Sequence, residues 1–165
     1  MAKILSFPNP VNETSARIVA AGAVLMGIAF VATGNGWILI PLTYGFVARV
    51  LSGPTFSPLG RIATQVITPR LKAQHRLVPG PPKRFAQGVG AAFTVTASVL
   101  YVVGAIGASQ IVIAGLVIAA FLESAFAICL GCIGFGYLMK FGVIPQEVCE
   151  ECNNFTLRSA QTVSQ

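Results

Sequence analysis

The chain has 165 residues, of which 10% are charged and 55% are hydrophobic, and its formal net charge at pH 7 is +6. An ordinary soluble domain carries about 25% charged residues. This composition excludes a disordered chain and a nucleic-acid-binding domain with a broad basic surface, and it argues against a soluble globular protein.

The charged residues leave two long segments of the chain uncharged. There is no charge in the 31 residues between Arg17 and Arg49, or in the 38 residues between Arg84 and Glu123. Near its middle, each segment contains a turn-forming stretch, Thr33-Gly34-Asn35-Gly36 in the first and Gly104-Ala105-Ile106-Gly107-Ala108-Ser109-Gln110 in the second. Because a spanning helix needs about 20 apolar residues, we predict four membrane spans, at about 16–33, 37–53, 85–104 and 110–138.

The connection between the two segments, residues 53–84, is the most basic part of the chain. By the positive-inside rule it lies in the cytoplasm, and with two spans on either side both termini, residues 1–15 and 140–165, are cytoplasmic too. The basic side chains can attract anionic lipid headgroups, so the net charge requires no nucleic acid. The predicted location is therefore a membrane, with a multi-pass domain at 16–139 and the lipid bilayer as the first partner.

One part of this linker is predicted to be helical. Ser57-Pro58 is a helix-start signal and the segment ends at Thr68-Pro69. Between them apolar residues recur at intervals of three and four, which predicts a short amphipathic helix on the membrane surface: Leu59, Ile62, Ala63, Val66 and Ile67. The predicted fold class is all-α, an integral membrane four-helix bundle of two transmembrane hairpins with an amphipathic linker helix.

The four cysteines form two Cys-x-x-Cys pairs in the last 37 residues. Cys129 and Cys132 lie in the predicted fourth span, and Cys149 and Cys152 lie in the polar tail, 16 residues further on. This spacing is compatible with zinc held by all four thiolates. It is also compatible with redox or sulfur chemistry without any cofactor, or with small apolar side chains that only pack.

The redox interpretation rests on helical geometry. Residues three apart share a helix face, so Cys129 and Cys132 could form a disulfide or receive a sulfur atom. A continuous helix rises about 28 Å between Gln110 and Cys129, which would bring the pair to the cytoplasmic edge of the bilayer. There we expect Cys132 to be the more exposed, attacking thiol and Cys129 the resolving one.

Glu123 is a carboxylate within a predicted span. Such a group is costly in lipid and usually faces the bundle interior or a water-filled path. It is a candidate proton relay or path residue, or a protonated side chain hydrogen-bonded to a neighbouring helix. On a continuous helix it would lie about 180° around the axis from Cys132, on another face.

Several of these stretches together resemble a bacterial membrane family, the domain of unknown function 4395, over roughly residues 11–140. They are Phe56-Ser57-Pro58, Pro69-Arg70-Leu71, Pro82-Lys83-Arg84-Phe85-Ala86-Gln87-Gly88-Val89-Gly90, Ala119-Ala120-Phe121-Leu122 and Phe126-Ala127-Ile128-Cys129-Leu130-Gly131-Cys132. The Arg-Phe-Ala-Gln and Cys-Leu-Gly-Cys motifs are the most specific of them in combination.

The resemblance implies a small four-span protein of the bacterial inner membrane, often encoded beside thioredoxin-like and sulfurtransferase genes, with Cys129 and Cys132 as its paired thiols. The chain departs from the expected family pattern at Glu123, where we expect an amide, and after Cys132, where we expect an acid. The pair Cys149 and Cys152 lies outside the pattern.

The leading functional hypothesis is a membrane thiol-redox or sulfur-transfer protein that works with a cytoplasmic thioredoxin- or rhodanese-like partner. One alternative is a non-catalytic subunit of a larger membrane complex, with the cysteine pairs binding zinc or packing. Another is a permease for small sulfur compounds, with Glu123 lining the path.

Overall fold

The computed structural model describes residues 11–70, 77–78 and 80–143, and this part of the chain is almost entirely helical. Helix α1 spans Glu13–Thr33, and α2 spans Leu39–Ser52 after a 3₁₀ turn at Gly36–Ile38. A helical linker, α3, covers 58–70. The remaining helices are α4 (Gly80–Val102), α5 (Ile106–Phe126) and α6 (Leu130–Lys140). Strands β1 (Val11–Asn12) and β2 (Leu77–Val78) pair antiparallel.

Three helices, α1, α4 and α5, are long and apolar enough to cross a membrane, with 21, 23 and 21 residues. Large apolar side chains point away from the interior on these helices, among them Val99, Ile111 and Ile118, which are 58%, 74% and 62% exposed. Exposing such side chains to water is unfavourable in free energy, whereas contact with lipid hydrocarbon is favourable. The apolar helix at Gly36–Ser52 is shorter. These features support a membrane protein.

The helices pair differently from the predicted two hairpins. Helix α1 packs along α5 and α2 packs along α4, while α4 also packs along α5; α1 and α2 make few contacts with each other. Small residues permit these approaches, since Gly27 of α1 lies against Val117 of α5 and Gly90 of α4 lies against Phe46 of α2. The second predicted hairpin, α4–α5, is therefore present as a packed pair, and the first is not.

The linker helix α3 is present, and its apolar residues differ in how deeply they are buried. Its first turn is capped by the Ser57 hydroxyl, which accepts a hydrogen bond from the Gly60 N–H at 3.2 Å. A π-helical turn at Ile62–Ile67 then rotates the chain. Ala63 becomes fully buried, whereas Ile62 and Val66 point outward, 49% and 42% exposed.

The predicted span 110–138 is not one helix. Helix α5 ends at Phe126, and Ala127 adopts a left-handed conformation with φ 59°. Its N–H donates to the Glu123 carbonyl at 3.1 Å, which closes the last turn of α5. The chain then changes direction and α6 begins after Cys129. The estimate that placed Cys129 by helical rise was wrong, because the helix stops before reaching it.

Basic side chains at this end of the bundle bind helix carbonyls. Arg17 donates from Nε to the Ser124 carbonyl at 2.9 Å and from Nη2 to the Ala125 carbonyl at 3.1 Å, and Arg84 donates to the Val50 carbonyl at 3.0 Å. The last carbonyls of a helix have no partner within it, so these contacts satisfy the ends of α5 and α2. Part of the positive charge that the sequence suggested for lipid headgroups therefore has an internal role.

Candidate functional site

Four helix ends bring a cluster of polar residues together at one end of the bundle. Lys83 lies in the first turn of α4, Arg49 in the last turn of α2, and Glu123 in the last turn of α5. Cys129 and Cys132 lie at the start of α6. The break at Ala127 makes this possible, since it turns the thiols back toward Glu123.

Glu123 is bound to Lys83. The Lys83 Nζ and Glu123 Oε1 atoms are 2.6 Å apart, and the two side chains are only 8% and 13% exposed. The sequence offered Glu123 as a proton relay, a path residue or a protonated side chain, and its partner was not foreseen. A buried pair of this kind keeps both groups charged without leaving a net charge.

Cys129 precedes α6 and caps it. Its Sγ accepts a hydrogen bond from the Cys132 N–H at 3.3 Å, and the side chain is 8% exposed, while Cys132 is half-buried. Both thiols are free. The spacing i, i+3 was predicted to place the two side chains on one helix face; instead Cys129 sits just before the helix, at its positive end.

The surroundings favour a thiolate on Cys129. Hydrogen bonding by the Cys132 thiol, with smaller contributions from Lys83 and the Cys132 N–H, lowers the pKa of Cys129 despite its burial and the nearby Glu123. The same hydrogen bond and burial raise the pKa of Cys132. Cys129 is thus the better leaving group of the pair, and Cys132 is the more accessible thiol.

A cavity of about 70 Å³ lies behind Cys129, between the four long helices. Its walls are mostly apolar, and its polar lining consists of Arg49, Gln87, Glu123 and Cys129. The sequence placed Glu123 and Cys132 on opposite faces of one continuous helix; the helix ends at Phe126, and Glu123 and Cys129 line the same space. A volume of this size admits a small molecule or ion but not a protein side chain with its backbone.

Arg49 is the residue that the sequence reasoning overlooked most clearly. It is 5% exposed, donates from Nε to Gln87 Oε1 at 2.9 Å and from Nη1 to Ser57 Oγ at 3.2 Å, and its guanidinium lies 4.5 Å from the centre of the Phe46 ring. A signal was available, since Arg49 is a charged residue inside the predicted span 37–53. A charged residue within a membrane span is a candidate functional residue, and this applies to Arg49 as much as to Glu123.

The zinc interpretation remains a prediction. Within the described residues no three His, Cys, Asp or Glu side chains come together in a way that could hold a metal ion. Cys149 and Cys152, which the tetrahedral site would need beside Cys129 and Cys132, lie outside the described residues.

Gly131 fixes the position of the thiols against α4. A methyl group added at Gly131 would lie 2.6 Å from both the Cα and the Cβ of Ala86, so one helix would have to move. We expect Gly131→Ala to destabilise the protein by about 1–3 kcal/mol and to increase the alkylation rate of Cys129, since α6 is pushed outward. Thermal unfolding in detergent and timed alkylation would measure both effects.

Gly134→Ala is the matched control on the same helix. No atom lies within 4 Å of a methyl group placed there, so this variant should match or slightly exceed the wild-type unfolding temperature. Equal effects of the two substitutions would contradict the packing of α6 against α4.

Comparison with known proteins gave one match. Residues 11–140 match the model of a protein family described as Domain of unknown function (DUF4395). No curated protein and no solved structure matches the chain. The matched region includes Arg49, Lys83, Glu123 and both thiols of the pair at 129 and 132.

Proposed function

The chain belongs to the DUF4395 family, and we propose that it is a membrane thiol-redox or sulfur-transfer protein whose reactive centre is the Cys129–Cys132 pair. The observation that carries this proposal is the position of Cys129. It caps α6, its Sγ accepts a hydrogen bond from the Cys132 N–H at 3.3 Å, and it lines a mostly apolar cavity together with Glu123 and Arg49. A pair of cysteines that only fills space needs neither the cap nor the charged surroundings.

The two thiols have different parts in the proposed exchange. When the pair is oxidised, a partner thiolate attacks the accessible Cys132 sulfur, which forms a mixed disulfide and breaks the Cys129–Cys132 bond. Cys129 takes the electron pair and leaves as a thiolate, which the Cys132 N–H stabilises. A second thiol of the partner then attacks its own sulfur in the mixed disulfide and releases Cys132.

The partner is proposed to be a cytoplasmic thioredoxin- or rhodanese-like protein. This follows from the exposure of Cys132 at a bundle end that also holds Arg17, Arg49, Lys83 and Arg84. Basic residues concentrate on the cytoplasmic side of membrane proteins. The proposal thereby places the thiols at the inner face of the membrane.

Trapping of a mixed disulfide tests the proposal. The full chain in detergent is mixed with a thioredoxin variant that retains only its attacking cysteine, activated as the thionitrobenzoate disulfide. Both variants carry Cys149→Ser and Cys152→Ser, so that each retains a single thiol. Cys129→Ser, which keeps Cys132, should form the mixed disulfide at least about tenfold faster than Cys132→Ser, because Cys129 is buried.

The reverse order of rates would assign exchange to Cys129. If neither variant forms the mixed disulfide or carries a persulfide, the redox and sulfur-transfer proposal is wrong. The chain would then fit better as a non-catalytic subunit of a membrane complex.

A further inference from the structure

Two buried cations share one carboxylate at the cavity behind Cys129. Glu123 pairs with Lys83 at 2.6 Å and also acts electrostatically on Arg49, whose hydrogen bonds go to the neutral side chains of Gln87 and Ser57. Arg49 is 5% exposed, so water screens its charge poorly. One carboxylate does not balance two buried cations, and an excess buried charge is costly, so the cavity favours a further anion.

Cys129 is the one remaining cavity-lining group among the described residues that can supply this anion. The other lining residues, apart from Arg49 and Glu123, are uncharged. The Cys129 side chain lines the wall of this cavity of about 70 Å³. One water molecule takes about 30 Å³ in the liquid, so there is room for a further sulfur atom attached to Cys129.

We infer that this cavity holds the terminal sulfur of a persulfide on Cys129, so that the group carried by the chain is sulfane sulfur. The inference rests on the proposed function, which allows either thiol-redox exchange or sulfur transfer, and it selects sulfur transfer. A persulfide anion would place its negative charge inside the cavity that Arg49 lines. The burial of Cys129 would protect it from thiols of other proteins.

Transfer of the sulfur atom onto Cys129 and its later transfer to Cys132 are both nucleophilic displacements at sulfur. The Cys129 thiolate attacks hydrodisulfide, a new Sγ–S bond forms, the S–S bond of hydrodisulfide breaks, and hydrosulfide leaves with the electron pair. For delivery, the terminal sulfur turns out of the cavity, and the Cys132 sulfur attacks it while the Cys132 thiol releases its proton to water; the Sγ–S bond of Cys129 breaks and Cys129 leaves as a thiolate. The sulfane sulfur then sits on the more accessible cysteine, ready for a partner.

The experiment uses the reduced full chain in detergent, treated with sodium disulfide as the source of hydrodisulfide and examined by intact mass spectrometry. Cys149 and Cys152 are first replaced by alanine, so that the pair at 129 and 132 supplies the only thiols of the chain. In this background, after treatment with excess thiol, we expect a retained mass gain of one sulfur atom when both thiols are present and in Cys132→Ala. We expect no retained gain in Cys129→Ala, because the accessible Cys132 loses its sulfur to the added thiol. Arg49→Gln should shorten the lifetime of the persulfide in excess thiol about tenfold, while Arg49→Lys and the exposed-site control Arg61→Gln should preserve it within about threefold.

A second variant tests the cavity without altering a charge. Ala119→Leu fills the space beside Cys129 and should lower the yield of persulfide at least about tenfold, while Ala125→Leu, at an exposed position on the same helix, should not. The inference is overturned if Cys129→Ala retains sulfur like the chain with both thiols, or if neither Arg49→Gln nor Ala119→Leu affects the persulfide.

The two proposals can fail separately. Cys132 could form the mixed disulfide while Cys129 carries no protected persulfide. That result would support thiol–disulfide exchange and contradict the sulfur-carrying role. Absence of both products would remove the proposed function itself.

Discussion

Breaking the Lys83–Glu123 ion pair from either side is expected to destabilise the protein by about 3–5 kcal/mol. The two charged atoms are 2.6 Å apart and both side chains are almost fully buried, so Lys83→Met leaves a carboxylate, and Glu123→Gln leaves an ammonium group, without its partner. The free energy of unfolding in mixed detergent micelles measures the loss.

The double variant Lys83→Met/Glu123→Gln is expected to recover most of this stability, because it removes both charges and leaves two uncharged side chains of similar size. Lys140→Met is the control, since Lys140 is exposed on α6 and its replacement should change stability by less than about 0.5 kcal/mol. Additive effects of the two single substitutions would show that the pair does not act as a unit.

A stable double variant would allow the effect of the ion pair on thiol exchange to be measured separately from its effect on protein stability. If Lys83 and Glu123 also serve the thiols, the double variant should fold well and still exchange thiols differently from the wild type. Its rate of mixed-disulfide formation would therefore indicate whether the pair has a second role beside stabilising α4 against α5.

The positions of the long helices were predictable from the distribution of charge. Uncharged length and a Gly–Asn turn are enough to place helices near 16–33, 37–53 and 85–104, and the structure has helices at Glu13–Thr33, Leu39–Ser52 and Gly80–Val102. Their pairing was not predictable, because many small residues look equivalent in sequence. Gly27 and Gly90 lie in helix contacts, whereas no atom lies within 4 Å of a methyl group placed on Gly88.

Only part of the candidate site could be predicted from the sequence. Cys129, Cys132 and Glu123 are residue types that stand out in an apolar segment. Lys83 and Arg49 were not recognised as part of the site, because basic residues near the ends of spans usually face headgroups. Only the fold shows that they turn inward, Lys83 to Glu123 and Arg49 to Gln87.

The end of α5 at Ala127, which brings the thiols toward Glu123, has no strong signal in the sequence. Substitutions of Ala127 test whether the helix ends there. Ala127 occupies a left-handed conformation, φ 59°, that costs a residue with a Cβ about 1–2 kcal/mol. Ala127→Gly is therefore expected to stabilise the protein by about 1 kcal/mol. Ala127→Pro is expected to destabilise it by about 3 kcal/mol or more, because proline cannot adopt this φ and removes the N–H that donates to Glu123.

Ala125→Gly provides the matched comparison two residues earlier. Ala125 lies within α5, where glycine should cost about 0.5–1 kcal/mol, so the same substitution should have opposite signs at 125 and 127. Unfolding free energies of the three variants would be measured in the same micelles. Destabilisation by both glycines would mean that the helix continues through Ala127, which would return Cys129 to a continuous span and separate it from Glu123.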